Sequence, residues 1–188
     1  LLGLVIVVEL FMPLFVSLIA PGFKSSPEKF VLAIELTRIT FPFILFISLA
    51  SFFSAILNSH NKFAAASAAP IILNLVLIIT LLCAKYLDDH LVIYMSYGVS
   101  IAGFIQMIFL IFTLKKIYKP QFKVNFNINN KTKRFFKKLL PSIFSSGVTQ
   151  INILVGTIIA SFQAGAVSYL YYADRIYQIN LAIAGIAI

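Results

Sequence analysis

Residues 115–138 read KKIYKPQFKVNFNINNKTKRFFKK, nine basic residues with no acid among them, set in a chain that is otherwise almost continuously apolar. The nine are Lys115, Lys116, Lys119, Lys123, Lys131, Lys133, Arg134, Lys137 and Lys138. A basic run alone would also suit nucleic acid. Here both flanks are long enough to cross a bilayer, so the positive-inside rule reads the run as a cytoplasmic loop of an integral membrane protein.

Composition agrees. The 188 residues are 61% hydrophobic and 11% charged, and their mean hydropathy is +0.99, outside the range of soluble domains. The net charge of +9 then belongs to loops at a membrane surface, and no nucleic-acid partner is expected. The single cysteine, Cys83, excludes a disulfide within the chain and reads as a small buried hydrophobe. No cofactor or metal set is expected. Residue 1 and the final stretch 181–188 both lie inside apolar segments, and no signal peptide precedes the first. The sequence therefore reads as an internal piece of a longer protein.

About 20 apolar helical residues cross a hydrocarbon core of about 30 Å. On that ruler the chain is an all-α transmembrane bundle of six spans, at about 1–20, 37–58, 64–84, 91–114, 139–162 and 167–188. It forms one transmembrane domain. With 115–138 inside, alternation puts the 58–63 turn inside and 21–36, 85–90 and 163–166 outside. The other charges follow suit. Lys62 joins the inner set, while Lys24, Lys29, Arg38 and Lys85 fall on outer segments with Glu28, Glu35, Asp88 and Asp89. An amphipathic helix near 129–140 is expected at the inner surface, with Phe135, Phe136 and Leu139 toward lipid.

Polar residues inside the spans are the candidate site. In the fifth, Ser142, Ser145, Ser146, Thr149, Gln150, Asn152, Thr157 and Ser161 recur mostly at spacings of three and four, which gathers them on one side of a helix. Such a stripe either packs against helices or lines a wet cavity. Gln150 and Asn152, with more hydrogen-bonding capacity than a hydroxyl, favour the cavity. In the sixth, Ser168, Tyr171, Tyr172, Arg175 and Gln178 share a face, with Asp174 beside Arg175. Arg175 lies about 12 Å from the outer end of its helix, where a charge costs about 2.5–3.5 kcal/mol on insertion scales. It is therefore read as facing a bundle interior or water. Adjacent helical residues diverge by about 100°, so Asp174 and Arg175 cannot form a good fork together. Arg175 is either structural glue or a phosphate-gripping fork. Glu9 is either a coupling carboxylate or a hydrogen-bonded neutral acid. Arg38 either pairs with Glu35 three residues away or projects into an outer vestibule. Asn74 and Gln106 read as interhelical partners. Gly98, Gly103, Pro42, Pro70 and Pro141 mark close packing or bends.

Read together, several stretches resemble the MurJ (MviN) family of lipid II flippases. They are Ala20-Pro21-Gly22-Phe23, the run from Thr37 to Leu45, and Ala55-Ile56-Leu57-Asn58. Pro141-Ser142-Ile143-Phe144, the run from Val148 to Asn152, and Tyr169-Leu170-Tyr171-Tyr172-Ala173-Asp174-Arg175 continue the likeness in order. The resemblance implies the multidrug/oligosaccharidyl-lipid/polysaccharide exporter fold, two helix bundles around a cavity with fourteen spans. This chain would supply the third to the eighth. It implies a transporter, not an enzyme, of a bacterial inner membrane. That transporter carries an undecaprenyl-pyrophosphate-linked glycopeptide, lipid II, from the inner to the outer leaflet by alternating access. The family's cavity arginine falls on Arg175 and its serine on Ser168. Where the family usually has glutamate and proline, this chain has Gln178 and Asn180. Substrate contacts are expected from Arg175, Asp174, Ser168, Gln178, Gln150, Asn152 and Thr149, with Arg38 and Glu9 in vestibule or coupling roles. Membrane lipids are the other expected partners, and the coupling ion is left open. A flippase for another undecaprenyl-linked glycan, or a cation-coupled multidrug exporter of the same superfamily, remains an alternative.

Overall fold

Proline sets the first two helix boundaries. Pro13 has no N–H to give the Glu9 carbonyl, so α1 (Leu2–Leu10) closes at Phe11, and α2 (Met12–Ile19) restarts with Pro13 in its first turn. Pro42 likewise separates α3 (Pro27–Thr40) from α4 (Phe43–Ser59). A 3₁₀ turn at Pro21–Ser25 precedes α3. The computed structural model describes residues 1–86, 91–117 and 130–187. The remaining helices are α5 (Phe63–Ala84), α6 (Leu91–Ile117), α7 (Asn130–Ala160) and α8 (Ala166–Ala187). Among the described residues there is no strand. Residues 118–129, the middle of the basic run, and the turn with Asp88, Asp89 and His90 lie outside them.

Four helical stretches are long and apolar enough to cross a membrane: 27–59 taken through the Pro42 turn, α5, α6 and 133–160 of α7. The bent pair α1 and α2 would make a fifth. The molecule is an all-α polytopic helix bundle. α8 matches α5 in length at 22 residues. Asp174, Arg175, Gln178 and Asn180 leave it more polar than the other candidates. The expected helix near 129–140 is not a separate element: α7 runs unbroken for 31 residues, with Pro141 inside it. Phe135 and Phe136 are exposed on it and meet edge-on at 5.6 Å.

The chain divides into two compact units. The first comprises 1–13 and 31–122, and α4, α5 and α6 form its core. Ala50, Leu57, Ala69, Leu110 and Leu114 are buried together, with Phe53 and Phe109 against them. Lipid tails are as apolar as leucine, so close van der Waals fit has to hold these helices. Glycine supplies that fit. A Cβ on Gly98 would lie 2.8 Å from the Thr80 side chain, and one on Gly103 would lie 2.5 Å from the Phe43 ring. Phe46 and Phe104 add an edge-on pair at 5.4 Å. The Ser100 hydroxyl donates to the Ile39 carbonyl, joining α6 to the end of α3. Between α4 and α5, Asn61 takes a left-handed conformation (φ 58°), and Lys62 N–H closes the helix end on the Leu57 carbonyl at 2.9 Å. Cys83, expected to be buried, is exposed on α5.

The second unit comprises 14–30 and 123–188. Its described part sets the 3₁₀ turn against the end of α7, and α7 against α8. Gly165 (φ +76°) allows the reversal from α7 into α8. Gly22 is buried at the other junction, and its N–H donates to the Ser161 hydroxyl at 3.0 Å. That hydroxyl donates in turn to the Ile158 carbonyl.

Candidate functional site

α8 carries a hydrogen-bonded string along one side. Helical neighbours three and four residues apart lie above one another, which brings Tyr171, Asp174, Arg175 and Gln178 together. The Arg175 guanidinium donates to the Tyr171 hydroxyl at 2.9 Å and to the Gln178 amide oxygen at 3.1 Å. It also lies over the Tyr171 ring, 4.9 Å from the centroid. The Gln178 amide nitrogen donates to the Asp174 carboxylate at 2.6 Å. Gln178 is thus wedged between the cation and the acid. Only one amide orientation satisfies both neighbours, because arginine has only donors and aspartate only acceptors.

This geometry has a chemical consequence. A guanidinium has five N–H donors, and two contacts leave most of its fork open. The Gln178 amide bridges it to the Asp174 carboxylate. The side chains of Asp174, Arg175 and Gln178 are all exposed. An aromatic face and two fixed acceptors orient the guanidinium, so a diphosphate would meet a largely preset fork.

The other sequence candidates in this unit separate into two places. Asn152 and Asp174 line a cleft of about 280 Å³ between α7 and α8, with Thr157, Gly156 and Tyr171. Ser168 lies elsewhere, in a pocket of about 350 Å³ with Ser26, Lys29 and Ser161 at the 3₁₀ turn. Gln150 and Thr149 are exposed on α7 and line neither. Of the α7 hydroxyls, Ser142 and Thr157 turn back onto the carbonyls of Lys138 and Ile153. The residues that sequence reasoning left out are Tyr171, as the support of Arg175, and Lys29. The i, i+4 spacing of Tyr171 and Arg175 was the available signal for the first. Nothing local signals the second, because its pocket depends on the packing of Gly22 on Ser161.

In the first unit, Glu9 is half-buried on α1, and one of its carboxyl oxygens is enclosed without a hydrogen-bond partner. Arg38, on α3, is exposed. Among the described residues, no group of three or more His, Cys, Asp or Glu side chains could hold a metal ion.

The family model described as "Lipid II flippase MurJ" matches residues 1–188. "Probable lipid II flippase MurJ" of Rickettsia prowazekii (strain Madrid E) is 40% identical over 187 residues, covering 98% of this chain and 36% of the relative. The protein of the same name from Rhizobium tropici is 40% identical over 198 residues, covering 100% and 36%. "Lipid II flippase MurJ" of Burkholderia cenocepacia is 33% identical over 178 residues, covering 90% and 34%. The chain spans about a third of the length of these relatives. With every residue inside the family match, the chain belongs to the lipid II flippase MurJ family.

Proposed function

We propose that this chain is part of a bacterial inner-membrane transporter that moves lipid II from the inner to the outer leaflet. The polyprenyl tail stays in hydrocarbon while the diphosphate and glycopeptide need a wet, cationic route. Arg175 is the group that meets the diphosphate. One observation supports this above others: the guanidinium stands over Tyr171, steadied by neutral hydrogen-bond partners, with most of its donors open. Asn152 and Asp174 at the α7–α8 cleft, and Ser168 at the outer pocket, line the headgroup path. Gln150 and Thr149 extend the polar face of α7. The basic run 115–138 sits on the cytoplasmic side, and all six spans cross the membrane within one transmembrane domain. Alternating access arises from rocking of helix bundles, as in other carriers. An inside-negative potential favours outward anion movement by about 2.3 kcal/mol per charge per 100 mV. No bond is made or broken, so the role is transport without catalysis.

The enclosed, unpartnered oxygen of Glu9 favours a second role within the same cycle. A carboxylate oxygen kept short of hydrogen bonds suits a coupling ion or proton. The deciding experiment introduces Arg175→Ala into the full-length protein and measures lipid II exposed at the outer leaflet. Loss of export with normal membrane insertion supports the reading; unchanged export refutes it.

A further inference from the structure

Gln106 on α6 is 4% exposed, and its amide oxygen is buried without a partner. Such a group is costly in a protein interior unless something bonds it. It backs a pocket of about 340 Å³ inside the first unit, formed by α4, α5 and α6. The pocket's other polar members are Ser51, Ser54 and Asn58, one helical turn apart on α4. A fifth oxygen comes from the backbone: Pro70, inside α5, has no N–H for the Ala66 carbonyl, and both residues line the pocket. Ala50 and Ala69 give a flat, apolar floor. The lining holds no charged side chain.

We infer that this pocket holds the glycan portion of the transported lipid, an inference that rests on the reading of the chain as part of a lipid-linked glycan transporter. Hydroxyls and amides both donate and accept, which matches Ser, Asn and Gln side chains better than it matches any ionic group. The apolar floor suits the C–H face of a sugar ring. The volume falls in the range of small-molecule pockets and is too roomy for five oxygens to close on one bare cation. Gln106 is then a specificity residue, its amide left unbonded for the substrate.

The test measures binding of two lipids to purified full-length protein: bare undecaprenyl diphosphate and lipid II. Gln106→Leu, which also removes the unbonded amide, and Ser54→Ala are each expected to weaken lipid II about fivefold and leave the bare lipid unchanged. Equal effects on both lipids, or none on either, overturn the glycan site. A sodium-dependent gain in thermal stability that disappears in Gln106→Leu, without discrimination between the lipids, overturns it in favour of an ion. Arg175→Ala is expected to weaken both lipids by the same factor. If it weakens neither, the diphosphate reading fails alone, and discrimination at Gln106 still supports the pocket.

Discussion

Replacing Gly22 by alanine tests the joint between the 3₁₀ turn and the end of α7. The added Cβ would collide with the Ser161 carbonyl group and lie 2.5 Å from the Phe162 amide nitrogen, where ordinary contact begins near 3.4 Å. These obstacles are backbone atoms, so no rotamer change relieves them, and the turn must retreat by about 1 Å. Overpacking of this kind costs about 1–3 kcal/mol. Retreat also breaks the 3.0 Å bond from the Gly22 N–H to the Ser161 hydroxyl, which adds about 0.5–1.5 kcal/mol. The sum is a destabilisation of about 2–4 kcal/mol, measurable by denaturant unfolding of the full-length protein in detergent. Ser161→Ala alone removes this bond and the hydroxyl's own donation to the Ile158 carbonyl, and is expected to cost about 1–2 kcal/mol. In the double variant the bond to Gly22 is already lost, so Ser161→Ala should add less to Gly22→Ala than it costs alone, a coupling of about 1 kcal/mol. Gly22→Ala with unchanged stability, or strictly additive costs, would refute the close approach.

Arg175→Ala is expected to lower the export rate of the full-length protein at least tenfold, since charge-assisted bonds are worth about 1.5–3 kcal/mol. Arg175→Lys should recover little of that loss, because an ammonium lacks the planar fork; complementation of a depleted strain reads both. Gly98→Ala should destabilise the first unit by about 1–2 kcal/mol through Thr80, and Thr80→Ala in the same protein should restore most of it in thermal unfolding. Asn152→Leu is expected to slow export severalfold and Gln150→Leu much less, because only Asn152 lines the cleft with Asp174; a headgroup-exposure assay on both variants decides. Glu9→Gln should leave folding intact and remove the dependence of export on the coupling gradient; export that still tracks the gradient would exclude Glu9.

Helix positions were largely legible, because apolar runs and punctuation are local properties. Pro21-Gly22, the Asn58–Lys62 turn and the Gln163–Ala166 turn all separate helices where the sequence says they should. Interruption within a run was harder to read. Pro13 splits the first segment and Pro42 the second, while Pro70 and Pro141 sit inside continuous helices. At the candidate site, the Arg175 face was legible from spacing, yet the role of Gln178 was not. Its bridging of Arg175 and Asp174 depends on side-chain direction beyond register. Gln106 read as an interhelical partner, and it is buried as such a residue should be. Its missing bond is visible only in three dimensions.

The unbroken course of α7 has a mechanical meaning. Thirty-one residues make a rod of about 46 Å, against a hydrocarbon thickness of about 30 Å. Roughly a third of it overshoots the lipid, and Lys133, Arg134, Lys137 and Lys138 crowd that end. A tilt of about 10° would sweep the tip through roughly 8 Å at this length. Any displacement of the basic end is therefore levered along a stiff shaft to the reversal at Gly165. Pro141 is a built-in point of give along it.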